Sequence, residues 1–244
     1  EPYMTLDPKY MESSWWTLKR AFQKDLLTKD QRVISCCPHC ETALAAAEID
    51  YTEGEDPSIY VRFPLKEKLI TEGPEADLDQ SILVWTTTPW TLIANVALCV
   101  NPNEEYVLVE SKGYKFIIGS ALAPKVLGEE YKVLETYKGK DLEYMEYEQL
   151  LPFLKVDKKG FFVTCDNYVT MEDGTGIVHI APAFGQDDYN VGKKYDLPYL
   201  NPVGEDGKYL DGTWKGMFVF DADLEIIKYL KENDKLFRKQ KISH

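Results

Sequence analysis

Short apolar and β-branched runs, divided by turn residues, fill the middle of this chain and predict an α+β fold that is mostly β: a closed or nearly closed β-barrel with short helices at its periphery. An amphipathic helical stretch precedes these runs, and Cys37-Pro38-His39-Cys40 lies between the two. The barrel is therefore expected to carry a flanking helix and a connector that looks like half of a zinc knuckle.

Asp7-Pro8 reads as a cap followed by proline at the first helical position, after which Met11, Trp15, Leu18 and Phe22 recur at helical spacing. From Val33 the pattern turns to short extended pieces around the cysteines, as far as a break at Glu53-Gly54-Glu55-Asp56-Pro57. That break closes a first segment, residues 1–56. Beyond it Ile59, Val61, Phe63 and Leu65 are read as alternating with polar positions, as a half-buried strand should. Further strands are expected at 81–85, 96–100, 106–110, 114–118, 131–137, 161–164, 168–170 and 176–180, with short helices at 120–127 and 187–195. Leu224, Ile227, Leu230 and Leu236 mark a last amphipathic helix, starting at Asp221 or Asp223, and a strand-like run follows from Lys239. Residues 57–222 are thus assigned to the barrel, and 223–244 to a returning helix and strand.

Composition narrows the class. With 244 residues, 44% apolar and 28% charged, the chain can bury one good core and a second small unit. A net charge of −13 argues against gripping nucleic acid by electrostatics alone, since phosphate affinity comes largely from Lys and Arg. The uncharged stretch 82–100 is long enough for a bilayer, but its threonines, Pro89 and Asn95 make its centre polar and broken, so no membrane association is expected. No leader pattern supports secretion. The five cysteines form no even framework, and Cys99 and Cys165 sit in apolar runs as buried thiols do, which points to a reducing cytoplasm. A start at Glu1-Pro2 and an end just after a strand-like run suggest a piece of a larger protein.

Three constellations carry chemistry. The first is Trp85-Thr86-Thr87-Thr88-Pro89-Trp90-Thr91-Leu92-Ile93-Ala94-Asn95, a strand running into hydroxyl-rich turn residues and a short helical segment. Hydroxyls and backbone N–H groups there can bind phosphate, ribose or a developing oxyanion, although threonine alone is ordinary in strands and caps. The second is Gly174-Thr175-Gly176-Ile177-Val178-His179-Ile180-Ala181-Pro182, followed by Gly185-Gln186-Asp187-Asp188-Tyr189. Its glycines allow close backbone approach, and Asp187 or Asp188 could cap the next helix. A partly desolvated carboxylate there, Asp188 above all, also suits a cationic ammonium group on a ligand. The third is Cys37 and Cys40, adjoining Cys36 and His39. Two thiolates make half of a tetrahedral zinc site, and no second pair is present, so an incomplete knuckle and a metal-free turn both remain open.

The first two constellations together resemble the editing insertion of isoleucyl-tRNA synthetases. Leucyl and valyl enzymes are similar in these regions but typically carry arginine where this chain has Thr88, and lack the histidine that stands here as His179. The stretch from Tyr3 to Asp7-Pro8 and Trp15-Trp16 resembles that family's exit from its catalytic nucleotide-binding domain, so the likeness covers nearly the whole chain. Ile93 departs from it, since many members have proline there.

The resemblance implies hydrolysis of valine, and other small misattached amino acids, from the 3′ acceptor end of tRNA(Ile). Asp188 would hold the α-ammonium, while Thr86, Thr87 and Thr88, with Trp85 nearby, would hold the terminal adenosine. His179 would line the side-chain pocket and help exclude isoleucine, and Asn95 would support or contact the substrate. A positioned water would attack, without a covalent protein intermediate. No cofactor is implied for editing. Zinc is implied only for the full-length enzyme, where the other half of the site follows the return from the insertion. The expected partners are the tRNA and the rest of the synthetase, with the isolated piece a monomer. A non-catalytic module that positions the acceptor end, or a zinc-stabilised structural module, are the competing readings.

Overall fold

A computed structural model describes residues 3–50, 52–72 and 78–243. The chain divides into two compact units, Glu1–Arg32 and Val33–His244.

The first unit is built on α1 (Pro8–Gln23). Asp7 caps it as the sequence requires, its Oδ1 accepting the N–H of Lys9 at 2.8 Å, with Pro8 opening the helix. The stripe of Met11, Trp15, Leu18 and Phe22 is exposed, and no residue of α1 is buried.

The second unit begins with a small hairpin, β1 (Cys36–Cys37) and β2 (Thr42–Ala43), paired antiparallel around the cysteine turn. Among the described residues nine longer strands follow: β3 (Glu55–Pro64), β4 (Gln80–Thr86), β5 (Ala97–Val100), β6 (Glu105–Ser111), β7 (Tyr114–Gly119), β8 (Lys132–Lys138), β9 (Phe162–Cys165), β10 (Ile177–Ile180) and β11 (Leu236–Ser243). Among them lie α2 (Ala123–Leu127), α3 (Gln186–Lys194) and α4 (Val219–Glu232). The strands form a six-stranded sheet of order β11-β3-β4-β7-β6-β8 and a three-stranded sheet of order β10-β5-β9. Neighbours are antiparallel except β4 with β7 and β5 with β9.

No closed barrel is present among the described residues, contrary to the sequence expectation. The large sheet is open, with β8 and β11 at its edges. Both edges are largely polar, Lys132 and Glu135 on β8 and Lys239, Gln240 and Lys241 on β11, as edges that must not recruit further strands commonly are. Strand spacing signals how many strands there are, whereas closure depends on pairing between distant segments.

The central strands bury both faces of the large sheet, so β3 is not the half-buried strand expected from its alternation. Ile59, Val61, Ile82, Val84, Tyr106, Leu108 and Ile117 face a core shared with Leu98, Val163 and Ile177 of the small sheet and with Ala222, Ile226, Ile227 and Leu230 of α4. Tyr60, Leu83, Val107, Val109 and Phe116 face the other way, under Ala123, Val126 and Leu127 of α2. The far side of the small sheet, Ala97, Cys99 and Ile180, is covered by Val191 of α3 and by Leu197. Cys99 and Cys165 are buried free thiols, as their apolar runs suggest.

Two local expectations fail. Residues 168–170 form no strand: the Asn101 side-chain amide bonds the carbonyl of Val169 at 2.9 Å, replacing a strand neighbour with a side chain. The last helix starts at Val219 and not at Asp221 or Asp223, and Leu236 belongs to β11. Leu224 is 65% exposed, because packing against the segment after β4 sets the buried face at Ala222, Asp223, Ile226 and Leu230. No helix among the described residues is long and apolar enough to cross a membrane, and residues 82–100 become a strand, a 3₁₀ turn and a strand.

Candidate active site

β4 ends at Thr86 and delivers the chain into a 3₁₀ segment, Pro89–Ala94, flanked by Thr88 and Asn95. Hydroxyls fix this turn from within. Thr86 Oγ1 accepts the N–H of Thr88 at 3.1 Å, and Thr91 Oγ1 donates to the carbonyl of Thr88 at 2.8 Å. Thr88 Oγ1 lies 3.4 Å from Thr86 Oγ1 and 3.3 Å from Thr91 Oγ1, so the three hydroxyls form a chain. Thr86 and Thr91 are buried, Thr87 is half-buried and Thr88 is exposed, which leaves the first three threonines graded from interior to surface.

Asn95 is placed as a brace. Its Oδ1 accepts the Tyr147 hydroxyl at 2.7 Å and its Nδ2 donates to the carbonyl of Ala97 at 2.8 Å, tying the 3₁₀ segment to β5 and to the core. Asn95→Ala is expected to cost roughly 2–4 kcal/mol in denaturant unfolding, because it strands the buried Tyr147 hydroxyl as well as losing two bonds. A loss no larger than about 0.5 kcal/mol would show that the brace carries little.

The second constellation closes on the first. β10 pairs antiparallel with β5, setting His179 opposite Leu98. Gly174 has φ +69°, and a Cβ there would come within 2.8 Å of the Trp85 ring, so only glycine permits this close approach. Trp85 is thereby packed against the glycine turn. His179 is buried, and its Nε2 lies 3.0 Å from Thr91 Oγ1. Burial holds the imidazole pKa down at about 4, so the ring is neutral near pH 7.

Asp188 stands in the first turn of α3. Neither it nor Asp187 is the cap, a correction to the sequence reading; Gly185 takes that position. The Asp188 carboxylate instead folds back so that Oδ2 accepts the N–H of Ala181, two residues beyond His179, at 3.0 Å. A Cβ on Gly185 would lie 2.9 Å from Asp188 Cγ, which is why glycine suits the cap. Burial raises the Asp188 pKa to about 6 against the lowering effect of the Ala181 bond, and the Asp187 charge adds to the rise. The rings of Trp90 and Phe184, 5.0 Å apart and edge to face, join the threonine turn to the turn before α3.

Two participants escaped sequence reasoning. Thr91 links the hydroxyl chain to His179, a contact between segments 88 residues apart in sequence. Asp223, expected to start a helix, is buried inside α4 and accepts the backbone N–H of Trp90; burial pushes its pKa up to about 7. Its folded-state pKa stands above the ordinary carboxylate value, so the stability it contributes is complete below about pH 4 and is lost as pH rises through about 7. Asp223→Asn is expected to flatten the fall in stability between those limits, measured as unfolding free energy against pH. An unchanged slope would show that Asp223 ionises freely. A cavity of about 570 Å³ lies beside the site, lined by Trp90, Ala183, Phe184, Phe218 and Phe220 among others; Thr86, His179 and Asp188 do not line it.

The cysteine turn offers two thiols as metal donors. Backbone N–H groups of Cys40 and His39, and then the Cys40 thiol, hold the Cys37 thiol below its usual pKa, as a metal knuckle would, whereas Cys40 is raised by Cys37. Among the described residues no third Cys, His, Asp or Glu joins them, so this donor set does not complete a tetrahedral site.

The family model of class I tRNA synthetases (I, L, M and V) matches residues 1–203, and the chain belongs to that family. The isoleucine–tRNA ligase of Clostridium novyi (strain NT) is 47% identical over 247 residues, covering 100% of this chain and 23% of that protein. The chain thus spans about a quarter of that relative's length. Solved structures share the fold. The crystal structure of GlLeuRS-CP1 matches with a TM-score of 0.60 at 16% identity, covering 75% of this chain and 99% of that one. The cytosolic leucyl-tRNA synthetase editing domain of P. knowlesi matches with a TM-score of 0.57 at 11% identity, covering 75% and 95%.

Proposed function

We propose that this chain is the editing part of an isoleucyl-type synthetase and hydrolyses the ester that joins valine to the terminal adenosine of tRNA(Ile). The observation that carries the reading is Asp188: a largely desolvated carboxylate, held by the Ala181 backbone N–H, in the first helical turn after the strand that carries a buried, neutral histidine. Such a carboxylate pairs strongly with an α-ammonium.

In this reading Asp188 takes the ammonium, and the hydroxyls of Thr86, Thr87 and Thr88 meet the ribose and orient the ester. Water attacks the ester carbonyl carbon; the tetrahedral intermediate collapses with release of the ribose oxygen, which takes up a proton, leaving free valine and intact tRNA. His179 limits the pocket by bulk. Such a second sieve is needed because one methylene is worth only about 1–3 kcal/mol in a binding pocket, a figure for which isoleucyl-tRNA synthetases are themselves the standard case. Cys37 and Cys40 take no part in hydrolysis and would contribute two thiolates to a zinc site finished elsewhere in the enzyme.

The test is deacylation of valyl-tRNA(Ile) by the purified chain. Ester loss well above the buffer rate, with the isoleucyl ester spared, is expected. Binding of the acceptor end with an unchanged ester lifetime would instead favour a positioning module, a reading that the charge of −13 makes hard to sustain without help from the enzyme body.

A further inference from the structure

Proton counting around Thr91 settles more than its distances do. Its hydroxyl has one proton and two lone pairs, and three partners surround it: the Thr88 carbonyl at 2.8 Å, His179 Nε2 at 3.0 Å and Thr88 Oγ1 at 3.3 Å. The carbonyl can only accept, and it is the nearest, so the Thr91 proton goes there. Nε2 must then donate. The other ring nitrogen, Nδ1, is buried and has no protein partner. The opposite assignment would place a proton on Nδ1 and leave a buried N–H orphaned, which is rarer and costlier than a bare acceptor.

We infer that Thr91 is a positioning residue that fixes neutral His179 as its Nε2–H tautomer, orienting the ring and reserving Nδ1 as a hydrogen-bond acceptor. The three hydroxyls and the ring then form one directed chain: Nε2–H and the Thr88 hydroxyl both donate to Thr91 Oγ1, which donates to the Thr88 carbonyl. It follows that His179 has only an acceptor left to offer, at Nδ1, and because that nitrogen is buried the ring meets a ligand by bulk. It cannot donate to a substrate carbonyl. The significance for specificity rests on the proposed hydrolysis of valyl esters; the tautomer itself does not.

The experiment is nitrogen NMR of the whole chain labelled with ¹⁵N-histidine, the His179 signals being those lost in His179→Ala. At pH about 7 the wild-type chain is expected to show a protonated Nε2 and an unprotonated Nδ1. Thr91→Val, which keeps the shape and removes the hydroxyl, is expected to give a mixture of tautomers and to lower valyl-over-isoleucyl discrimination about tenfold, as loss of one hydrogen bond would. Thr91→Ser is expected to restore both. A protonated Nδ1 in the wild-type chain overturns the inference without any variant having to fold. Unshifted His179 nitrogens in Thr91→Val overturn it too. If no form of the chain hydrolyses esters, the functional reading fails while the nitrogen shifts still decide the tautomer.

Discussion

Asp188→Ala is expected to slow deacylation of valyl-tRNA(Ile) by a factor on the order of 100, the cost of leaving a partly desolvated ammonium without its counter-charge, roughly 3 kcal/mol. Asp188→Asn separates the charge from the brace. The amide oxygen can still accept the Ala181 N–H, so the turn keeps its shape, yet the cation is no longer balanced. Asparagine should therefore fail nearly as badly as alanine. The pH profile supplies an independent arm. With a pKa near 6, the free chain loses its carboxylate below that pH, so kcat/KM is expected to fall with unit slope under about pH 6. A bound ammonium favours the carboxylate, so the break in kcat should sit lower. In Asp188→Asn both breaks should vanish from what activity remains. An asparagine variant that retains full activity and the same break would remove Asp188 from the reaction.

The same burial works against stability. Because the folded-state pKa of Asp188 is raised, its contribution is present below about pH 4 and is lost as pH rises through about 6. Asp188 is thus ionised near pH 7 at some cost to the fold, and at that pH the asparagine variant is expected to be at least as stable as the wild-type chain. Such a cost to the fold is what the proposed role, a charge held ready for a ligand, would entail.

How far the sequence could lead depended on whether a feature was local. The start of α1 was legible because Asp7 and Pro8 do their work within one turn. The strand at 59–65 was legible from alternation, and those at 81–85 and 176–180 from short apolar runs between turn residues, because both signals are local. The parallel pairing of β4 with β7 was not, since nothing in either strand names its partner, and the same ignorance let an open sheet pass for a barrel. Leu224 and Leu236 misled because a helical stripe says nothing about which side the neighbours occupy. Within the site, Thr86, His179 and Asp188 stood out through their motifs. Thr91 and Asp223 did not: one acts through His179 and the other through the Trp90 N–H, and both contacts exist only once distant segments meet. Asn95 was singled out as a support or contact for the substrate; its bonds to Tyr147 and Ala97 give it a physical task that needs no ligand.

His179→Ala is expected to change what the site accepts more than how fast it works. The imidazole is neutral, buried and anchored at one nitrogen, so on the proposed reading it would act as a rigid wall. Forcing an additional methylene against such a wall costs typically 1–3 kcal/mol or more, because neighbouring side chains must leave their preferred rotamers. Truncation to alanine removes the wall and with it that cost. Hydrolysis of the isoleucyl ester should then rise by roughly 10- to 100-fold, while the valyl ester, which already fits, should change little. Thr91 would be left with a hydroxyl that accepts one bond fewer, a small loss for a group that still donates to Thr88. Two other results point elsewhere. If both esters slow together, His179 is positioning the ester or the water and its bulk is incidental. If the ratio between the esters stays at its wild-type value, exclusion of isoleucine must come from another surface, and the aromatic cavity beside Trp90 and Phe184 would be the place to mutate next.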